Sequence, residues 1–234
     1  MLVEFSYPLD PSAILMPGSI AKPEVMPRSR MVPPPEDADE GVRWDSYNTT
    51  SFVKLFVHTG THIDTPYHVD ANGAKLGAFG IEDFVFDQPV LLEIPKSDLE
   101  EIAVEDLKPH EKQLSQADLL LVYTGFSKWR SEEPERYMMK QPGFSQHAAE
   151  YLMGFSSLRC VGADTMGIEN IPEGRAADPP FPAHRAFLLT REKFLILEDP
   201  NLAPLVGKQM KRAYLIPLRL PDLEAMSVTA FADV

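Results

Sequence analysis

Proline limits the fold of this chain more than any other residue type. It occurs 22 times in 234 residues. Eight copies fall between positions 8 and 35: Pro8, Pro11, Pro17, Pro23, Pro27, Pro33, Pro34 and Pro35. Each fixes its own φ, removes a backbone donor and pushes the residue before it out of the helical region. Residues 1–41 are therefore expected to form an extended N-terminal arm. Ile14, Leu15, Met16 and Val25 give that arm apolar anchors, so it is expected to wrap its own domain or a partner subunit. The acidic run Glu36 to Glu40 reads as a solvated turn.

Beyond the arm the chain alternates unevenly between short apolar runs and polar segments. Ser51 to Val57 is rich in β-branched and aromatic residues and predicts a strand leading directly to His58. Further strands are expected at 84–86, 89–94, 117–124, 158–164, 194–198 and 213–220, the last with Pro217 marking an edge or bulge. Ser97 ahead of Glu100 predicts a helix over 97–108, and Ser145 caps a second over 145–155. The Gly/Pro-rich stretch 166–182 reads as a surface loop. Strands outnumber helices and no linker divides the core. The expectation is one α/β domain over residues 1–234, with a mixed sheet.

Composition narrows the partners. A net charge of -13 repels phosphate backbones, so neither nucleic acid nor an anionic membrane surface is an expected partner. No apolar run approaches the roughly 18 residues of a membrane span. The single cysteine, Cys160, excludes an intrachain disulfide and fits a reducing compartment, so a cytoplasmic location is expected.

Half of the six histidines lie in one eleven-residue stretch, His58-Thr59-Gly60-Thr61-His62-Ile63-Asp64-Thr65-Pro66-Tyr67-His68. Thr59-Gly60-Thr61 is poor helix material, so an i, i+4 helical histidine pair is not the expected geometry. A tight loop after a strand, with Gly60 allowing φ > 0, brings His58, His62 and Asp64 to one point. Imidazoles with a carboxylate suit Zn²⁺, Mn²⁺ or Fe²⁺. His184 and Glu198 are candidate ligands from elsewhere in the chain, whereas His110 and His147 are expected to be exposed. Thr61 is a candidate oxyanion contact, and Trp44 and Tyr67 are candidate pocket walls.

The same stretch resembles the HxGTHxDxPxH signature of the cyclase-like metal-dependent hydrolases, the type of bacterial kynurenine formamidase and isatin hydrolase. Met16-Pro17-Gly18, Gly162-Ala163-Asp164-Thr165, Ala183-His184 with Leu197-Glu198-Asp199-Pro200, and Ile216 to Leu220 extend the resemblance over nearly the whole chain. The resemblance implies a swivelling β/β/α-type fold assembled as a homodimer or homotetramer. It implies metal ligation by His58, His62, Asp64, His184 and Glu198, for one or two Zn or Mn ions, with Asp64 a bridge. It assigns His68 the acid/base role in cleaving a C–N bond of a small amide, formamide or cyclic amide with metal-activated water. Two alternatives stand beside it: a cyclase, isomerase or lyase, and a non-catalytic metal- or ligand-binding relative. The chain departs from the family at Met16, where a tryptophan is usual, at Gly167-Ile168-Glu169, and at Ser227 to Ala230. The first departure falls on the expected aryl-binding wall, so Met16 is a candidate substrate contact.

Overall fold

A computed structural model describes residues 1–9, 23–31 and 47–234. The strands are β1 (Leu2–Glu4), β2 (Glu24–Met31), β3 (Tyr47–Lys54), β4 (His62–Asp64), β5 (Val85–Phe86), β6 (Pro89–Glu93) and β7 (Glu101–Ile102). They continue with β8 (Leu119–Tyr123), β9 (Gly143–Phe144), β10 (Cys160–Ala163), β11 (Leu195–Glu198), β12 (Arg212–Pro217) and β13 (Ala225–Asp233). Nine of these form one mixed sheet in the order β5-β12-β13-β4-β11-β10-β8-β6, with β1 added on β13. The hairpin β2–β3 stands apart from it as an eight-residue antiparallel pair.

The sheet has two halves. β6, β8, β10 and β11 run parallel, and the remaining pairs are antiparallel. Alternation in the parallel half supplies two cores. Leu120, Val122, Val161, Ala163 and Ile196 face the helices Gln146–Leu152 and Pro182–Leu189, packing on Ala148, Leu152 and Phe187. Leu119, Leu121, Cys160, Leu195 and Leu197 face the other way, onto Phe86, Leu215 and Ala230. Both faces are covered, which is why Leu119 to Val122 reads as an unbroken apolar run. The helix with Ser145 as cap is present, its hydroxyl accepting from Ala148 N. Among the described residues no helix is long and apolar enough to cross a membrane.

Several sequence expectations need correction. β3 ends at Lys54, so Leu55, Phe56 and Val57 reach His58 without strand structure. No helix spans 97–108. Leu99 sits at φ 62, Glu101 and Ile102 pair with Gly143 and Phe144, and only Val104–Leu107 makes a helical turn. Residues 166–170 are buried rather than looped on the surface, and Ile171–Ala176 is a short helix. Their polar backbone is satisfied from within, because Gln141 bonds Gly167 N, Gly167 O and Glu169 O through its side chain. Gly143 permits this closeness: a Cβ there would lie 2.4 Å from Glu169 Cα. The stretch that departs from the family at Ser227 to Ala230 lies within β13, the longest strand of the main sheet.

Candidate metal centre

The motif reaches its positions through β4. Gly60 adopts φ +65, in the region that glycine was expected to allow, and the chain then enters strand His62–Asp64. That strand was expected to be loop. It lies between β11 and β13, with Ile63 opposite Leu197 on one side and Met226 on the other. Ile63 therefore points into the second core, where it is fully buried. Its neighbours His62 and Asp64 must point to the opposite face. Register then delivers the remote ligand, because Glu198 pairs with His62. A one-residue slip would bury Ile63 in the site and the ligands in the core.

His184 arrives on a helix. Phe181 turns the chain at φ 55, Pro182 occupies the first helical position, and His184 follows in the first turn. Glu169 fixes this turn. Its carboxylate accepts from His184 N at 2.8 Å, Ala183 N at 3.3 Å and His184 Nδ1 at 2.6 Å. The Nδ1 bond leaves Nε2 directed at Glu198 Oε1, 3.0 Å away. His62 is oriented in the same manner, its Nδ1 lying 2.8 Å from Gly60 O and its Nε2 3.3 Å from Glu198 Oε2. Nothing in the local sequence marked Glu169 as a partner of His184; it had registered only as a family departure.

Six side chains thus converge. His58 Nδ1 is 3.0 Å and His62 Nε2 3.6 Å from Asp64 Oδ1. His58, Asp64 and His68 each offer a ligand atom, all within 4.8 Å of one another, and so do His62, Asp64 and Glu198. Asp64 belongs to both groups. The ring centres of His58 and His68 are 4.5 Å apart. His68 leaves the short helical turn Pro66–His68 and is exposed at the cleft, whereas Asp64 and Glu198 are buried.

The residues present fit a divalent cation. Both oxygens of Asp64 and Nε2 of His62 are buried and make no well-aligned hydrogen bond among the described residues, only ion-pair contacts at 3.0 to 3.6 Å. An ionised carboxylate in that state is costly unless a positive charge lies against it. The protons respond to the same need. Burial opposes a charge on His58, but the carboxylates of Asp64 and Glu224 outweigh it and raise its pKa to about 10. His184 is likewise opposed by burial and is raised to about 10 by its bonds to Glu169 and Glu198. Burial would lift the Asp64 carboxyl, yet the surrounding histidines hold it well below the usual carboxylate range. Although an edge of His68 reaches the cleft, most of its ring is shielded from water, and this desolvation, with His58 and His184 close by, pushes its pKa down despite Asp64. Protons thus occupy the metal-free cluster, and ligation must displace them, so cation affinity rises with pH.

The centre opens into a cleft of about 850 Å³ lined by Phe56, Tyr67, His68, Phe181, Arg185 and Glu224, among others. Tyr67 lines it as expected. Thr61 does not: it is buried, its hydroxyl donating to Asp199 O at 2.7 Å and accepting from Tyr7 N at 2.9 Å. Phe79 and Phe84 are core residues. Met16 and Trp44 lie outside the described residues. Glu224, not anticipated from sequence, approaches His58 Nε2 at 3.4 Å.

Glu169→Gln tests how the site is built. Loss of the carboxylate that orients His184 is expected to weaken zinc affinity by about 10–100-fold. Competition with a chromophoric chelator measures this, and unchanged affinity would contradict the positioning role.

Comparison with known proteins places the chain among relatives. The family model described as putative cyclase matches residues 3–170. An uncharacterized protein of Haemophilus influenzae is 36% identical over 115 residues, covering 48% of this chain and 81% of that protein. Kynurenine formamidase of Bacillus mycoides is 27% identical over 193 residues, 81% of this chain and 84% of the relative. Among solved structures, an isatin hydrolase bound to the product analogue thioisatinate superimposes with a TM-score of 0.77 at 19% identity, covering 100% of this chain and 92% of the other. Isatin hydrolase A from Labrenzia aggregata gives 0.71 at 22% identity, with 99% and 93% covered. At these identities the two structures establish likeness of fold.

Proposed function

Because the chain belongs to the putative cyclase family, we propose that it is a metal-dependent hydrolase that cleaves a C–N bond of an amide, formamide or cyclic amide. The observation that carries this reading is the buried Asp64 carboxylate, which makes no well-aligned hydrogen bond and is set among His58, His62 and Glu198 beside a cleft. Its relatedness to kynurenine formamidases favours C–N hydrolysis over other uses of such a site.

His58, His62, Asp64, His184 and Glu198 are the residues that would hold one or two ions. A bound divalent ion supplies Lewis acidity and lowers the pKa of water from about 15.7 toward 7. The chain supplies the rest. Asp64 and Glu198 provide negative charge on a rigid three-strand platform, and Glu169 and Gly60 fix which imidazole nitrogens face it. His68 is the group suited to moving a proton: it is exposed at the cleft and its pKa is lowered rather than raised. A neutral imidazole there takes a proton from the attacking water and returns it to the departing nitrogen.

His68 also stands near enough to His58 and Asp64 to act as a ligand, so His68→Ala separates the two roles. The proposal expects full metal stoichiometry with turnover reduced by about 10²–10⁴-fold. Loss of one equivalent of metal would make His68 a ligand. Activity itself is tested by dialysis against a chelator, return of Zn²⁺ or Mn²⁺, and a panel of formyl-amides, lactams and cyclic imides. A metal-free sample that kept full activity would overturn the reading.

A further inference from the structure

The cleft holds a cation that the mechanism does not use. Arg185 lines it together with His68, His184, Glu198 and Glu224. It follows His184 directly on the helix Pro182–Leu189 and is half-buried. Its backbone N–H bonds Phe181 O at 3.1 Å. Among the described residues its guanidinium has no carboxylate within ion-pairing distance and no side-chain hydrogen bond. This is unusual for the chain, which carries 35 acidic residues against 22 basic ones. Other arginines near the body of the protein are engaged: Arg130 with Asp199, Arg136 with Asp98, Arg159 with Asp118, and Arg212 with Asp87. A second arginine, Arg175, lines the same cleft but has an interaction of its own. The walls between are apolar, from Phe56, Ile171 and Phe181.

From this arrangement we infer that the substrate carries an anionic group of the carboxylate class, received by Arg185 while its apolar body lies on Phe56 and Phe181. The inference rests on the C–N hydrolase reading of the same site. A guanidinium presents its donors as a fork that matches a carboxylate, and that pairing is stronger than one between neutral groups. Asp64 and Glu198 do not compete for it, because His58, His62 and His184 already face them. Anchoring the anion on the helix that carries His184 also fixes the substrate relative to a metal ligand. The cleft thus selects by charge at one end and by shape along its walls.

The test uses the zinc-loaded full chain and two pairs of probes. Calorimetry compares benzoate with benzamide, and kinetics compares 4-formamidobenzoate with formanilide. Benzoate is expected to bind at least about tenfold tighter than benzamide, within the range of charge-assisted pairing. Arg185→Gln should erase that preference, and Arg185→Lys should keep part of it, with zinc stoichiometry and thermal unfolding unchanged. The formamide carrying the carboxylate should be hydrolysed with the lower KM, and only its KM should rise in Arg185→Gln. Equal binding of the two probes, or a preference that survives Arg185→Gln, overturns the anion site. A preference that tracks Arg185 without cleavage of either formamide supports the anion site and counts against the hydrolase reading.

Discussion

Asp64→Asn is expected to lower metal affinity and turnover by more than about 100-fold, since even outer partners of metal ligands cost 10–100-fold when removed. The substitution keeps size and shape on the central strand β4, where Ile63 and the pairings to β11 and β13 hold the backbone. What it removes is the charge shared by both ligand groups, the one His58 and His68 approach and the one His62 and Glu198 approach. Melting with and without zinc separates a lost site from a lost fold. A ligand that binds only the native state raises the melting temperature according to its concentration over its dissociation constant. The wild-type chain should therefore show a zinc-dependent rise, and Asp64→Asn should melt cooperatively without one. A variant that keeps the zinc-dependent rise would remove Asp64 from the ligand set.

Arg130→Met is expected to destabilise the fold by about 3–5 kcal/mol, the range for removing one partner of a buried ion pair. Arg130 donates to both oxygens of Asp199, at 2.8 and 2.7 Å, and its guanidinium lies 3.8 Å from the centre of the Tyr7 ring. Tyr137 OH adds a third bond to Asp199 at 2.7 Å. Asp199 is 2% exposed, so loss of Arg130 leaves its charge with one neutral side-chain donor, Tyr137. The consequence extends to the metal centre because Asp199 follows Glu198. Its backbone is left-handed at φ 52, its N–H bonds Thr165 O, and its C=O accepts from Thr61, the neighbour of His62. Urea unfolding measures the loss. Asp199→Asn in the same background should recover part of it, since asparagine tolerates the left-handed region and carries no charge. A loss under about 1 kcal/mol would mean that the pair behaves as a solvated one, because a solvated pair is worth no more than that.

The cluster from His58 to His68 was legible because its residues are contiguous and chemically conspicuous. His184 and Glu198 were only candidates on their own segments; the resemblance joined them to the motif, and sheet register accounts for the joining. The strands of the parallel half could be read from apolar runs, since both faces are buried. β4 could not, because three residues with two polar side chains carry no period. β13 was not among the expected strands, although it pairs with β1, β4 and β12. The helix expected over 97–108 failed at Leu99 and at the pairing of Glu101–Ile102 with Gly143–Phe144, a contact across some forty residues that local propensity cannot contain. The roles of Glu169 and Asp199 were hidden for the same reason. Each acts through partners distant in sequence, and an acidic residue near a glycine or proline carries no local sign of that.

The central claim is that this site uses water to break a C–N bond. Turnover of an accepted amide in H₂¹⁸O, with the zinc-loaded chain and mass analysis of the products, tests it most directly. The account predicts one solvent oxygen in the acid or formate released for each bond cleaved, and none when the metal has been removed. Product formed without solvent oxygen would contradict it and would make the same cluster a centre for isomerisation or elimination.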